Sequence, residues 1–152
     1  MIWLLDTDTF VFMVRGLKIA SPKSEQQRQR AETAHNIATR CRARRQAGDP
    51  VGISAITIAE LEYGARLSEN YEAEIAAVHR VLTPFVCYDF GAWSCGMHYG
   101  QIRRDLELAG TTIGAMDLLI AAHAKALEAT LVTNNRRHFA RVSGLNLDNW
   151  SS

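Results

Sequence analysis

Residues 1–10 read MIWLLDTDTF, and the junction between Leu5 and Asp6 decides the fold. Ile2–Leu5 is apolar and uncharged, the pattern of a strand buried on both faces of a parallel sheet. The run stops at Asp6, followed by Thr7 and Asp8. An apolar strand that ends in two carboxylates admits three readings. Asp6 could be a covalent nucleophile with Asp8 as its helper, a metal ligand, or a helix cap.

Outward from this junction, helical and strand patterns alternate. Thr7–Leu17 reads as a helix with Asp6 or Thr7 at its cap, and Ser21-Pro22 as a turn. Ser24–Ala47 is polar but carries Ala34, Ile37, Ala38 and Cys41 on one helical face; Gly48-Asp49-Pro50 ends it. Val51–Ser54 reads as a second strand. A helix follows in which Thr57 and Glu60 have capping-box spacing. Tyr71–Leu82 is amphipathic, Phe85–Tyr88 is a third strand, and Gly91–Leu108 is a helix ended by Gly110. Ala115–Glu128 is an apolar helix, TLVTNN a fourth strand entering a polar turn, and Leu145–Leu147 a short last strand. Strands alternating with helices predict a three-layer α/β/α sandwich on a parallel sheet. Ligands in such sheets gather beyond the carboxyl ends of the strands. Asp6, Glu60, Asn134 and Asn135 all fall there.

The 152 residues match one domain, and 47% hydrophobic with 22% charged residues is ordinary globular composition. The three cysteines form no CxxC pair, which fits a reducing compartment. The N-terminus lacks a positively charged region, and no run approaches the ~20 apolar residues of a membrane span. A cytoplasmic protein is expected. The net charge of +1 conceals an asymmetry. From Lys18 to Arg45 eight basic residues face only Glu25 and Glu32, so a basic arm stands on a mildly acidic body and suits a polyanion or an acidic partner.

The stretch 110–126, GTTIGAMDLLIAAHAKA, holds Asp117 as the only charge between Thr111 and Ala122. An acid in a first helical turn complements the helix dipole. Together with Asp6 and Glu60, however, it would make three carboxylates converge over one sheet edge. Like charges raise one another's pKa, and no lysine in these motifs is placed to offset them. An oxygen-only set suits Mg²⁺ or Mn²⁺, which keep several waters. Such an ion supports phosphodiester hydrolysis, and the basic arm fits a nucleic-acid substrate.

LLDTD (4–8), ISAITIAELEYGA (53–65), IRRDLELAGTTIGAMDLLIAAHAKA (102–126) and LVTNNRRHFARVSGLNLDNW (131–150) resemble, in order, the motifs of VapC-type toxins, which are PIN-domain ribonucleases. The resemblance implies a PIN fold over 1–152 with a helical arm at about 18–49. It implies a Mg²⁺- or Mn²⁺-dependent endoribonuclease acting on tRNA or other structured RNA. A VapB-like antitoxin and a homodimer follow from the same resemblance. The family ligands fall on Asp6, Glu60 and Asp117. The fourth acidic position falls on Asn135, which would orient a water or the scissile phosphate. Asp8 stands where Asn is more usual, as an extra ligand or a helix-start acid. Arg42, Arg44 and Arg45 of the arm, with Arg136 and Arg137, are candidate RNA contacts.

Two other readings compete. LLDTDTF also resembles the first motif of haloacid-dehalogenase-type phosphatases, with Asp6 as nucleophile; but no acid follows TLVT, where those enzymes need one. A non-catalytic RNA- or antitoxin-binding module would leave the acids unused. His123 reads as a packed core histidine, His35 and His79 as surface residues, and His138 as part of a small basic patch. Trp3, Trp93, Tyr99 and Trp150 read as packing residues.

Overall fold

The first strand organises the sheet. In the computed structural model, which describes residues 1–152, β1 (Trp3–Leu5) pairs in parallel with both β2 (Val51–Ser54) and β4 (Thr130–Val132). β3 (Val86–Tyr88) adds beyond β2, and β5 (Asn146–Asp148) beyond β4, giving the order β3-β2-β1-β4-β5. Leu5 is in register with Ile53 on one side and Val132 on the other. The chain therefore builds outward from β1 in one direction, then crosses over and builds in the other. The β1–β4 junction is the switch point, where the loops leaving the two strands diverge and open a crevice.

Seven helices cover the sheet: α1 (Thr7–Leu17), α2 (Glu25–Gln46), α3 (Ala55–Leu67), α4 (Tyr71–Leu82), α5 (Ala92–Ala109), α6 (Ala115–Ala126) and α7 (Arg136–Phe139). The pleat of β1 divides two cores. Trp3 and Leu5 pack with Phe10, Met13, Ile37, Leu61 and Val78 of the first four helices. Leu4 packs with Ile102, Ile120, Leu131 and Phe139 on the other face. This is the expected three-layer sandwich. No helix is long and apolar enough to cross a membrane.

Three local features differ from the sequence reading. α3 is capped by Ser54, whose Oγ accepts from Ile56 N–H at 3.0 Å, rather than by Thr57. Glu60 consequently lies in the second helical turn. A hydroxyl already at the end of β2 can cap at once, so the later capping-box spacing is not used. The polar turn after β4 contains a one-turn helix, α7, too short for periodicity to reveal. Trp93 is 87% exposed rather than packed.

The 18–49 segment is mostly α2, which buries only Ala34, Ile37 and Cys41. Its crossing with α1 is close because Gly16 has no side chain. A methyl there would overlap Ala34 Cβ and lie 2.8 Å from the Arg30 carbonyl oxygen. Past this crossing, the Arg44 guanidinium stacks on Trp3 at 4.4 Å and that of Arg45 on Phe85 at 5.1 Å. Gly16→Ala is therefore expected to lower stability by about 1–3 kcal/mol through overpacking, read as a lower urea midpoint at unchanged m-value.

Candidate metal centre

Asp6 sits at the switch point and is 3% exposed. Strand pairing carries it there: its N–H donates to the Val132 carbonyl at 3.0 Å, extending the β1–β4 ladder by one bond. Its side chain is held from both sides. Oδ1 accepts from Thr9 N–H at 2.9 Å, capping α1, and Oδ2 accepts from the Thr133 hydroxyl at 2.5 Å. Burial pushes the Asp6 carboxyl above its ordinary range, and the charge of Asp8 adds slightly. The bonds from Thr133 and Thr9 oppose the shift. Asp6 is thus a helix cap, and it is also an acid whose charge is costly where it stands.

Asp117 lies half-buried in the first turn of α6. Burial raises its carboxyl pKa most, Asp8 raises it further, and His138 opposes both. Asp8, exposed in the first turn of α1, is therefore the charge felt by both buried acids. Glu60 is tied to the residue between Asp6 and Asp8. Its Oε1 accepts from the Thr7 hydroxyl at 2.7 Å, and Thr7 Oγ1 also lies 2.9 Å from Thr57 Oγ1.

No three His, Cys, Asp or Glu side chains are spaced as a ready-made chelate. Mg²⁺ does not require one, since it binds through one or two carboxylates and keeps several waters. The donor set fits that chemistry. It consists of carboxylate oxygens at one sheet end, Asp6 is fixed by Thr9 and Thr133, and no lysine or arginine forms an ion pair with the acids. A phosphatase of the haloacid-dehalogenase type would need a further acid after β4, where Asn134 and Asn135 stand instead.

The roles of three site residues escape sequence reasoning: Thr133, His138, read only as part of a basic patch, and Thr7, read only as a candidate cap. Thr133 is fully buried at the end of β4; its hydroxyl donates to Asp6 and accepts from Asn135 N–H at 2.8 Å. His138 Nδ1 lies 3.7 Å from Asp117 Oδ2 and 2.9 Å from Asn135 Nδ2. A threonine just after an apolar strand, next to Asp6 in one case and to Asn134 in the other, was the available signal. Asn135 caps α7 by position, yet its side chain makes no capping bond.

The arginines divide by location. Arg136 and Arg137 are exposed on α7, next to Asn135. Arg44 packs on the first residue of β1, and Arg45 on Phe85 just before β3, at the opposite end of the strands from Asp6. Arg42 is exposed nearby, bonded to Thr39. Arg15 and Arg30 are the arginines that line a groove with Asp8. His123 is a core residue: the Ser54 hydroxyl, which accepts from Ile56 N–H, has its proton free for His123 Nδ1 at 2.6 Å. Burial pushes the His123 pKa down.

A family model described as the PIN domain matches residues 4–145. Ribonuclease VapC2 of Rickettsia felis is 44% identical over 100 residues, 66% of this chain and 74% of that relative. The tRNA(fMet)-specific endonuclease VapC of Salmonella typhimurium is 32% identical over 148 residues, 97% of each chain. Among solved structures, VapBC2 from Rickettsia felis bound to a promoter DNA fragment superposes with a TM-score of 0.81 at 34% identity, covering 99% of both chains.

The raised carboxyls carry a stability consequence. A group whose folded pKa lies above its unfolded value weakens the fold once it ionises; the penalty is absent below the ordinary value of 3.8 and present at neutral pH. In chelator at pH 7, Asp117→Asn is expected to melt at a higher temperature than the wild type. That advantage shrinks as the pH is lowered toward 4, as differential scanning calorimetry can check.

Proposed function

The chain belongs to the PIN-domain family, among the VapC ribonucleases, and from that premise we propose that it is the toxin of a toxin–antitoxin pair that cuts RNA with a divalent cation. The observation that supports the metal dependence is the placing of Asp6, Asp8 and Asp117 at one sheet end with no lysine or arginine paired to them. Asp6 and Asp117 would hold Mg²⁺ or Mn²⁺, with Glu60 and Asp8 beside them. When bound, the ion supplies Lewis-acid stabilisation of phosphate charge and activation of water.

The chain's own residues supply the rest. Thr133 and Thr9 fix the Asp6 carboxylate in one orientation, so no rearrangement is needed on binding. Thr7 occupies Glu60 Oε1, which leaves Oε2 to accept a proton from the attacking water. Arg136 and Arg137 reach toward the backbone phosphates of the RNA. The basic residues of α2 are further candidate contacts for an RNA long enough to extend beyond the crevice; Arg42 is exposed, whereas Arg44 and Arg45 pack on aromatic rings. A structured RNA of the tRNA class is the proposed substrate, supported by the Salmonella relative's name.

A VapB-like antitoxin is the proposed protein partner, supported by the VapBC complexes among the structural relatives. The groove between α1 and α2, with Val11, Phe12 and Ile19 beside Asp8, is where a segment of it would lie. Trp93 and Met97, exposed one turn apart on α5, support a homodimer. We read 1–152 as one domain acting on RNA in the cytoplasm.

The test is cleavage of a labelled total-tRNA pool with Mg²⁺, Mn²⁺ or EDTA. Discrete fragments are expected with either ion and none in EDTA. Asp6→Ala and Asp117→Ala should each lower the rate roughly 100-fold or more, the loss of a few kcal/mol of transition-state stabilisation. Cleavage in EDTA, or by both variants at the wild-type rate, would overturn the metal-centred reading.

A further inference from the structure

The loop after β4 makes contacts that a ligand or substrate-binding role for Asn135 leaves unexplained. Asn135 gives its backbone N–H to Thr133 Oγ1, and Thr133 gives its hydroxyl proton to Asp6 Oδ2. The Asn135 amide lies 2.9 Å from His138 Nδ1, and the same ring nitrogen lies 3.7 Å from Asp117 Oδ2. Asn135 therefore contacts the hydroxyl that holds Asp6 through its backbone, and through its side chain the imidazole that stands beside Asp117. Its side chain makes no capping bond to the α7 backbone and meets the His138 ring instead.

The backbone that carries the imidazole is anchored. Phe139 and Val142 are buried and anchor the α7 backbone on either side of the following turn. Phe139 belongs to the core that Leu131 of β4 shares with Leu118 of α6, so α7 is fixed relative to the helix that carries Asp117.

We propose that Asn135 is a positioning residue, a bracket that joins Thr133 to His138 and so sets the spacing of Asp6 and Asp117. It acts through those two residues rather than on the ion or the RNA. Partners that orient ligating carboxylates typically contribute a factor of about 10–100 in metal affinity. Where the carboxylates do not form a closed chelate, their relative orientation is the property a bracket can improve. This inference rests on the proposed metal centre.

The experiment is titration calorimetry of Mn²⁺ into the full chain without RNA. The proteins are the wild type, Asp117→Ala, Asn135→Ala, His138→Ala, His138→Asn and the double variant Asn135→Ala/His138→Ala. Asn135→Ala and His138→Ala are each expected to weaken Mn²⁺ binding about 10-fold. The double variant should be no weaker than the worse single one, because both changes break the same bracket. His138→Asn keeps a polar atom near the Nδ1 position and is expected within about 3-fold of the wild type. Melting temperatures in chelator separate this effect from misfolding, since a merely structural role would move stability without this pattern of affinities. If Asp117→Ala binds Mn²⁺ like the wild type, the metal centre itself fails. If Asp117→Ala loses binding while Asn135→Ala and His138→Ala retain it, or if those two effects add, the bracket alone is overturned.

Discussion

A buried carboxylate at the β1–β4 junction is the constraint on which the rest of this structure depends. Asp6 extends the strand ladder through its backbone, caps α1 through one carboxylate oxygen and takes the Thr133 hydroxyl on the other. Burying an ionisable group is costly unless its hydrogen bonds are met. Here they are met by two segments more than a hundred residues apart in sequence, which must therefore be adjacent. Parallel pairing of β1 with β4 is the arrangement that brings them together. The crossover that makes this pairing possible also creates the crevice.

Charge follows from that geometry. Asp8 faces the same crevice from the first turn of α1, and Asp117 enters it from α6, carried by a different crossover. Burial and repulsion by Asp8 both push Asp6 and Asp117 toward their protonated forms, and only hydrogen bonds and one imidazole resist. A protein gains nothing in stability from this arrangement at neutral pH. Retaining it is understandable if a cation completes the site, in the same way that strained residues collect where function needs them.

The helix-rich segment between β1 and β2 shows how a charge run can mislead about position. Its arginines look like one basic arm in sequence, yet α2 runs from the crevice end of the molecule back to the start of β2. Arg30 thus lines the groove beside Asp8, whereas Arg44 and Arg45 are engaged with aromatic rings at the other end of the strands. A 22-residue helix spans about 33 Å at 1.5 Å per residue, so one run of like charge serves two ends of the sheet.

Much of the fold was legible from local sequence. Ile2–Leu5, Val51–Ser54 and TLV are short uniformly apolar runs between helical periods, and that pattern alone specifies a parallel sheet covered on both faces. Asp6 and Asp117 were legible as isolated charges in apolar surroundings. The first turn of α7, the cap at Ser54 and the exposure of Trp93 were not, since a four-residue helix has no period and one hydroxyl can replace another three residues away. The holders Thr133, His138 and Thr7 belong to the same class. Each is an ordinary polar residue whose role depends on a partner 127, 21 or 53 positions away. Sequence by itself determined which residues must be buried and which acids would resist burial, because hydrophobic periodicity is a local property. Only the tertiary structure decided which of them meet, because strand order and crossover set distances that no spacing along the chain encodes.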